Sequence, residues 1–257
     1  MTKNRLDTVL AQCREESRKA VIPYLTAGDG GYELTEEMVL AMAENGADII
    51  VLGVPFSDPI AEAPVAQQAS ERALAGGTTL AGIFEMVKRL RTKTEVPVVL
   101  MLYINTIFRT GKEGFFAKCR ECGIEGVMVP DMPFEEKEEI QEFADACGIH
   151  SIRLVTAASA GRIRMIADSA EGFLYCVASG KGEDSAFFCQ AKNTAGDLPC
   201  IAEAETSDPE AAAACCKNTD GILLSSAIVA LVEKYGADAT EKAASFVKAV
   251  QEAIHKQ

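Results

Sequence analysis

The chain has 257 residues, 48% of them apolar and 25% charged, and its 38 acidic residues against 25 basic ones give a net charge of −13. A surplus of that size opposes binding to a phosphate backbone and excludes nucleic-acid partners. No run of about 18 apolar residues occurs, which excludes a helical membrane span, and the polar opening over 1–5 is unlike a secretory signal, so a cytoplasmic protein is expected.

The nine cysteines are odd in number and follow no secretory signal, so reduced thiols are expected rather than a disulfide framework. Cys119 and Cys122 fall in a helical pattern, and the two histidines, His150 and His255, do not complete a zinc spacing with them. No metal site is assigned on spacing alone.

Short apolar runs alternate with 3.6-periodic segments from end to end, the pattern of β/α units around a parallel sheet. Leu6, Val9, Leu10 and Cys13 predict an amphipathic helix over 4–17, and 20–26 reads as the first strand, closed by Gly28, Asp29, Gly30 and Gly31. A helix over 34–45 ends at Gly46, and 48–53 is the second strand. Alternation puts Ile49, Val51 and Gly53 on one face of that strand. The strand breaks at Pro55 into a loop stiffened by Pro55, Pro59 and Pro64, which carries Phe56, Ser57, Asp58 and Glu62. Helices are predicted over 65–75 and 80–91, a third strand over 97–103, a helix over 112–121 and a fourth strand over 126–129. A charged helix over 134–147, a strand over 151–155, a helix over 161–168 and a strand over 173–177 follow. The stretch 178–196 has the least regular pattern of the chain and is left without an element. Beyond it stand a strand over 199–202, an Ala-rich helix over 209–217 capped by Asp208, a strand over 221–224, and helices over 226–235 and 239–254.

Eight strands alternating with helices over about 250 residues are the arithmetic of a single (β/α)8 TIM barrel spanning 1–257. The competing doubly wound sheet lacks its Gly-x-Gly-x-x-Gly after the first strand. Function in such a barrel is sought at the carboxyl ends of the strands.

Residues 51–64 read Val-Leu-Gly-Val-Pro-Phe-Ser-Asp-Pro-Ile-Ala-Glu-Ala-Pro. They resemble, without a gap, the second strand and following loop of the tryptophan synthase α subunit family, E-L-G-V-P-F-S-D-P-x-A-D-G-P. The resemblance extends from Val21 to the C-terminus. It implies one TIM barrel with an extra N-terminal helix, and aldol cleavage of indole-3-glycerol phosphate to indole and glyceraldehyde-3-phosphate in tryptophan biosynthesis. It implies no cofactor for this chain itself, and a pyridoxal-phosphate-dependent β subunit as partner, met by the loop that holds Pro55, Phe56, Ser57, Asp58 and Pro59.

The resemblance also carries site residues over, one position at a time. The family's acid–base Glu is Val51 here, and its acid facing the indole nitrogen is Glu62. Tyr24 stands where the family has Phe in the indole pocket, Tyr175 at its tyrosine, Tyr103 with Asn105 at its Y-x-N, and Asp131 at its D-x-P. The loop after the sixth strand, with Ser179, Gly180 and Lys181, is about two residues short and lacks the family's Thr. In the phosphate cradle G-F-G is Glu203-Ala204-Glu205, and G-S is Ser225-Ser226.

These departures imply impaired catalysis, because valine has no proton to exchange. Two alternatives to a working lyase stand: a non-catalytic regulatory partner of the β subunit, and a barrel for another, non-phosphate small ligand at its mouth. Glu62, Asp131, Glu203 and Glu205 are expected to converge on that mouth, where gathered carboxylates would hold a divalent cation or an amine. Their other expected fate is to splay into solvent.

Overall fold

A computed structural model describes residues 3–178 and 184–256. Its helices and strands run, in order, α1 (Arg5–Glu15), β1 (Ala20–Thr26), α2 (Tyr32–Glu44), β2 (Ile50–Gly53), α3 (Pro64–Ala75), α4 (Leu80–Arg91), β3 (Val98–Met101), α5 (Ile104–Thr110), α6 (Lys112–Cys122) and β4 (Gly126–Met128). They continue with α7 (Glu138–Cys147), β5 (His150–Val155), α8 (Ile163–Ala167), β6 (Leu174–Cys176), α9 (Asp184–Ala195), β7 (Cys200–Ala204), α10 (Pro209–Cys215), β8 (Gly221–Leu224), α11 (Ser226–Tyr235) and α12 (Ala239–His255). The eight strands pair in parallel and in sequence order, and β8 pairs with β1 to close the barrel. This is the expected TIM barrel with its extra N-terminal helix.

Strand alternation divides the apolar residues. Ile22, Tyr24, Ile49, Val51, Val99, Met128, Ile152, Phe173, Ile201 and Leu223 point inward and fill the barrel. Their neighbours Val21, Ile50, Leu52, Val98, Leu100 and Val127 point outward and pack with the flanking helices through Met38, Ile83, Val87 and Phe115. Helix α1 closes the amino-terminal end, placing Leu6, Leu10 and Cys13 against the inward cluster. Asn4 caps it by accepting from Leu6 N, and Asp7 returns a bond to Asn4 N in a capping box.

Three local expectations are corrected. Residues 178–196 are not irregular throughout, since α9 occupies most of them; Phe187, Ala191 and Ala195, spaced four apart, bury one face against Leu174, Cys176 and Ala202. Helix α5 directly follows β3, where only a strand end at 103–105 was read. Its first free N–H, Ile104 N, donates to Asp131 at 3.0 and 3.3 Å, so the acid that satisfies it lies 27 residues away. Strand β7 extends to Ala204, which puts Glu203 inside the strand rather than beyond it.

None of the nine cysteines is in a disulfide, and Cys119 and Cys122 are buried core residues. Burial pushes both thiols above their ordinary range, which argues against reactivity. Among the described residues no helix is long and apolar enough to cross a membrane.

Candidate functional site

The loop from Pro55 to Pro64 is held over the barrel mouth by its neighbours. Phe56 stacks on Tyr103 with ring centroids 4.8 Å apart. The Tyr103 hydroxyl accepts from Ala61 N at 3.0 Å. Gln67, on α3, donates to the carbonyls of Pro59 and Glu62 at 3.3 and 2.9 Å. Ser57 donates to Asp58 at 2.6 Å, and both are exposed. Ile60 is 84% exposed, the most accessible large apolar side chain among the described residues.

Behind this loop lies a cavity of about 550 Å³, within the range of small-molecule sites. Met101, Ile152, Leu154 and Leu223 form apolar walls, and Tyr24, Tyr175, Glu62, Glu203, Glu205, Ser225 and Ser226 complete the side chains singled out in the sequence. Tyr103 and Asp131 do not line it. Tyr103 instead ties the loop at Ala61, and Asp131 accepts from the first N–H of α5. Of the four carboxylates expected at the mouth, Glu62, Glu203 and Glu205 line this cavity. Among the described residues no group of His, Cys, Asp or Glu side chains forms a metal site. Gly180, with Ser179 and Lys181, lies outside the described residues.

Val51 is 0% exposed and faces the barrel interior, directly beside Tyr24 in the β1–β2 register. The Tyr24 ring crosses over Gly53, where any Cβ would collide with its hydroxyl, so this glycine makes room for the phenol. Tyr24 is 3% exposed, and its hydroxyl, with that of Thr26 nearby, makes no hydrogen bond within 3.5 Å among the described residues. Burial, and then the nearby Glu62, hold that phenol protonated well above the ordinary tyrosine range. Glu62 has one buried carboxyl oxygen, Oε2, that is likewise unpartnered. Burial raises this carboxyl to a pKa of about 7, so it carries a proton part of the time near neutrality.

Glu203 is differently placed. It points inward from β7 and accepts from the Tyr175 hydroxyl at 2.7 Å and from the Ser225 hydroxyl at 3.3 Å through Oε1. Its Oε2 accepts from Ala178 N at 3.0 Å. Burial raises its pKa; these three donors pull it back down, and Glu205 adds to the rise. Ser225 and Ser226 open α11, so the carboxylate sits close to a helix amino terminus.

Some of the cavity was not anticipated. Arg153 and Arg162 line it, together with Thr156 and Ser159. Position at the end of β5 was the available signal for Thr156; nothing local marks the arginines, which are brought in by folding.

The sequence profile of the tryptophan synthase alpha chain family matches residues 10–257. The chain belongs to the tryptophan synthase alpha chain family. A relative of that name from Geobacter sulfurreducens is 42% identical, over 98% of this chain and 99% of the relative. The crystal structure of tryptophan synthase subunit alpha from Legionella pneumophila superposes with a TM-score of 0.93 at 32% identity, with all of both chains covered. A chain of the tryptophan synthase α2β2 complex from Pyrococcus furiosus matches with a TM-score of 0.84 at 32% identity, over 91% of this chain and 97% of that one. Membership of the family agrees with the ungapped loop from Pro55 to Pro64, while Val51, Glu203 and Glu205 stand at positions where that family's pattern reads otherwise.

Proposed function

We propose that this chain is an α-type component of tryptophan biosynthesis whose aldol-cleavage step is impaired. The observation that carries this reading is Val51, sealed at 0% exposure among inward hydrocarbon side chains where the resemblance calls for a carboxyl group. A valine can neither give nor take a proton, and general acid–base help is worth about 10² to 10⁴ in rate. Glu62, with a pKa of about 7, is the pocket carboxyl best suited to carry residual proton transfer. It lies on the loop, not at the strand position that Val51 holds. Indole release from indole-3-glycerol phosphate is expected to run at least about 10²-fold below a family member that keeps the Glu. Release at ordinary family rates would overturn the reading, and loss of those rates in Glu62→Gln would then name the substituting acid. Val51→Glu alone is not expected to restore the rate, because the loop over 178–182 and the positions of Glu203 and Glu205 differ as well.

A second role accompanies the first, as docking partner of a β chain. Ser57 and Asp58 and the 84% exposed Ile60 form an accessible edge on a loop that Tyr103 and Gln67 hold in shape. The resemblance assigns that loop to the β subunit, and the Pyrococcus furiosus relative comes from an α2β2 complex. Titration of a β chain with this chain, followed by β-chain activity, tests it. A chain that leaves every β chain unbound and unchanged well above micromolar concentration removes this role.

A further inference from the structure

Two sets of polar groups in the cavity are in opposite states. In one, Tyr175 Oη, Ser225 Oγ and Ala178 N, donors from the end of β6 and the start of α11, converge on one carboxylate. Such a cradle at the start of a helix is a ready anion seat. Here the anion is already supplied by the chain itself, in the carboxylate of Glu203, with Glu205 on the same wall. In the other, the Tyr24 hydroxyl, in a residue 3% exposed and with the Thr26 hydroxyl as neighbour, and Glu62 Oε2 make no hydrogen bond within 3.5 Å among the described residues. Unpaired buried donors and acceptors are the groups that a ligand satisfies. Met101, Ile152, Leu154 and Leu223 supply apolar wall to the same cavity.

We infer that Glu203 is a built-in anion that sets ligand specificity: it fills the cavity's anion seat and restricts the site to an uncharged, ring-sized ligand without a phosphate, bound through an N–H or O–H group at Tyr24 and Glu62. A phosphate entering that seat must evict Glu203 from three hydrogen bonds and then face Glu203 and Glu205 at close range, with like charges in a poorly screened site. The two arginines of the lining pair with neither Glu203 nor Glu205. Arg162 donates to Glu135 at 2.6 Å; Arg153 donates to Gln141 at 2.6 Å and has Glu171, Glu138 and Asp145 as its acidic neighbours, while its buried Nε is without a partner among the described residues. An uncharged ring pays none of these costs and satisfies the unpaired phenol and carboxyl. This inference goes beyond impaired cleavage or docking, since it concerns which molecule the cavity admits.

The test is binding, read by calorimetry on the full chain and so separable from indole release. The probes are indole, its phosphate-bearing counterpart indole-3-propanol phosphate, and inorganic phosphate. The unaltered chain is expected to bind indole at least tenfold more tightly than the phosphate ester, with inorganic phosphate unbound at millimolar concentration. Glu203→Gln, which keeps size but removes the charge and one of the two acceptor oxygens, and Glu203→Gly, which empties the seat, are each expected to raise affinity for the ester at least tenfold. Affinity for indole should stay within about threefold. Circular dichroism of both variants checks the fold, and Glu203→Gln serves alone if the glycine variant unfolds. Tighter binding of the ester by the unaltered chain overturns the inference. So does an unchanged preference in Glu203→Gln, or failure to bind indole at millimolar concentration.

Discussion

The two ends of the barrel treat buried polar groups in opposite ways. At the amino-terminal end Glu125, with a side chain 4% exposed, accepts from Arg5 Nε at 2.7 Å, Arg91 Nη2 at 3.0 Å and Val98 N at 2.7 Å. His150 meets Asp7 at 2.7 Å and Glu171 at 3.7 Å, and Asn4 closes the same region by donating to the carbonyls of Glu125 and Gly148. At the carboxyl end the neighbouring Tyr24 and Thr26 hydroxyls and Glu62 Oε2 are buried with no hydrogen bond within 3.5 Å among the described residues. Satisfied buried networks stabilise, and unsatisfied ones cost about 1–3 kcal/mol per group until something pairs with them. The closed end holds the fold, and the open end keeps groups in reserve for a ligand. Glu203 is the exception, a mouth residue that is fully engaged.

The largest effect that should distinguish the ends is Glu125→Ala. Removing this carboxylate takes the largely buried Arg91 from its ion-pair partner, leaves Arg5 to its ion pair with Glu95 and unpairs the Val98 N–H, and is expected to cost about 3–5 kcal/mol in urea unfolding. A loss below about 1 kcal/mol would mean that the closed end does not hold the fold.

The next concerns pH. Burial lowers the pKa of His150, but Asp7 and Glu171 raise it more, to about 9 against an ordinary 6.5. The folded chain therefore favours the charged ring. Its contribution, of order 2 kcal/mol, is fully present below about pH 6.5 and lost as pH rises through about 9. His150→Gln should flatten that part of the stability–pH curve. A curve of the same slope in the variant would place the effect in other groups.

Smaller, and opposite in sign, is Tyr24→Phe at the mouth. Deleting an unpaired buried hydroxyl should raise stability by up to about 1 kcal/mol and weaken indole binding by about threefold to tenfold. A fall in melting temperature would show the phenol already partnered, and the contrast between the ends would fail there. The smallest change in stability is expected for Asp58→Ala, within about 0.5 kcal/mol because the residue is exposed. Its effect should appear in β-chain affinity instead, and equal affinity would relocate the docking surface.

Local sequence determined the strands and which of their faces turns inward, because side-chain period and turn chemistry act over a few residues. That reading placed Val51 inside the barrel and Glu203 at its mouth, ended helices near Gly46 and began one at Asp208, and did so from neighbours alone. It passed over α9, whose buried row of Phe187, Ala191 and Ala195 was present in the sequence but followed an unpatterned stretch. Tertiary structure alone decided what each inward or mouth residue meets. Asp131 and Glu203 both sit near strand ends, yet one is spent on the first N–H of α5 and the other on Tyr175, Ala178 and Ser225. Glu62 stands on a loop as exposed in pattern as Asp58, yet its carboxyl is buried beside Tyr24 with a pKa of about 7. Periodicity assigns a side chain to a face, whereas its partners come from segments tens of residues away, and those partners decide whether a carboxylate is a cap, an internal anion or an acid held in reserve.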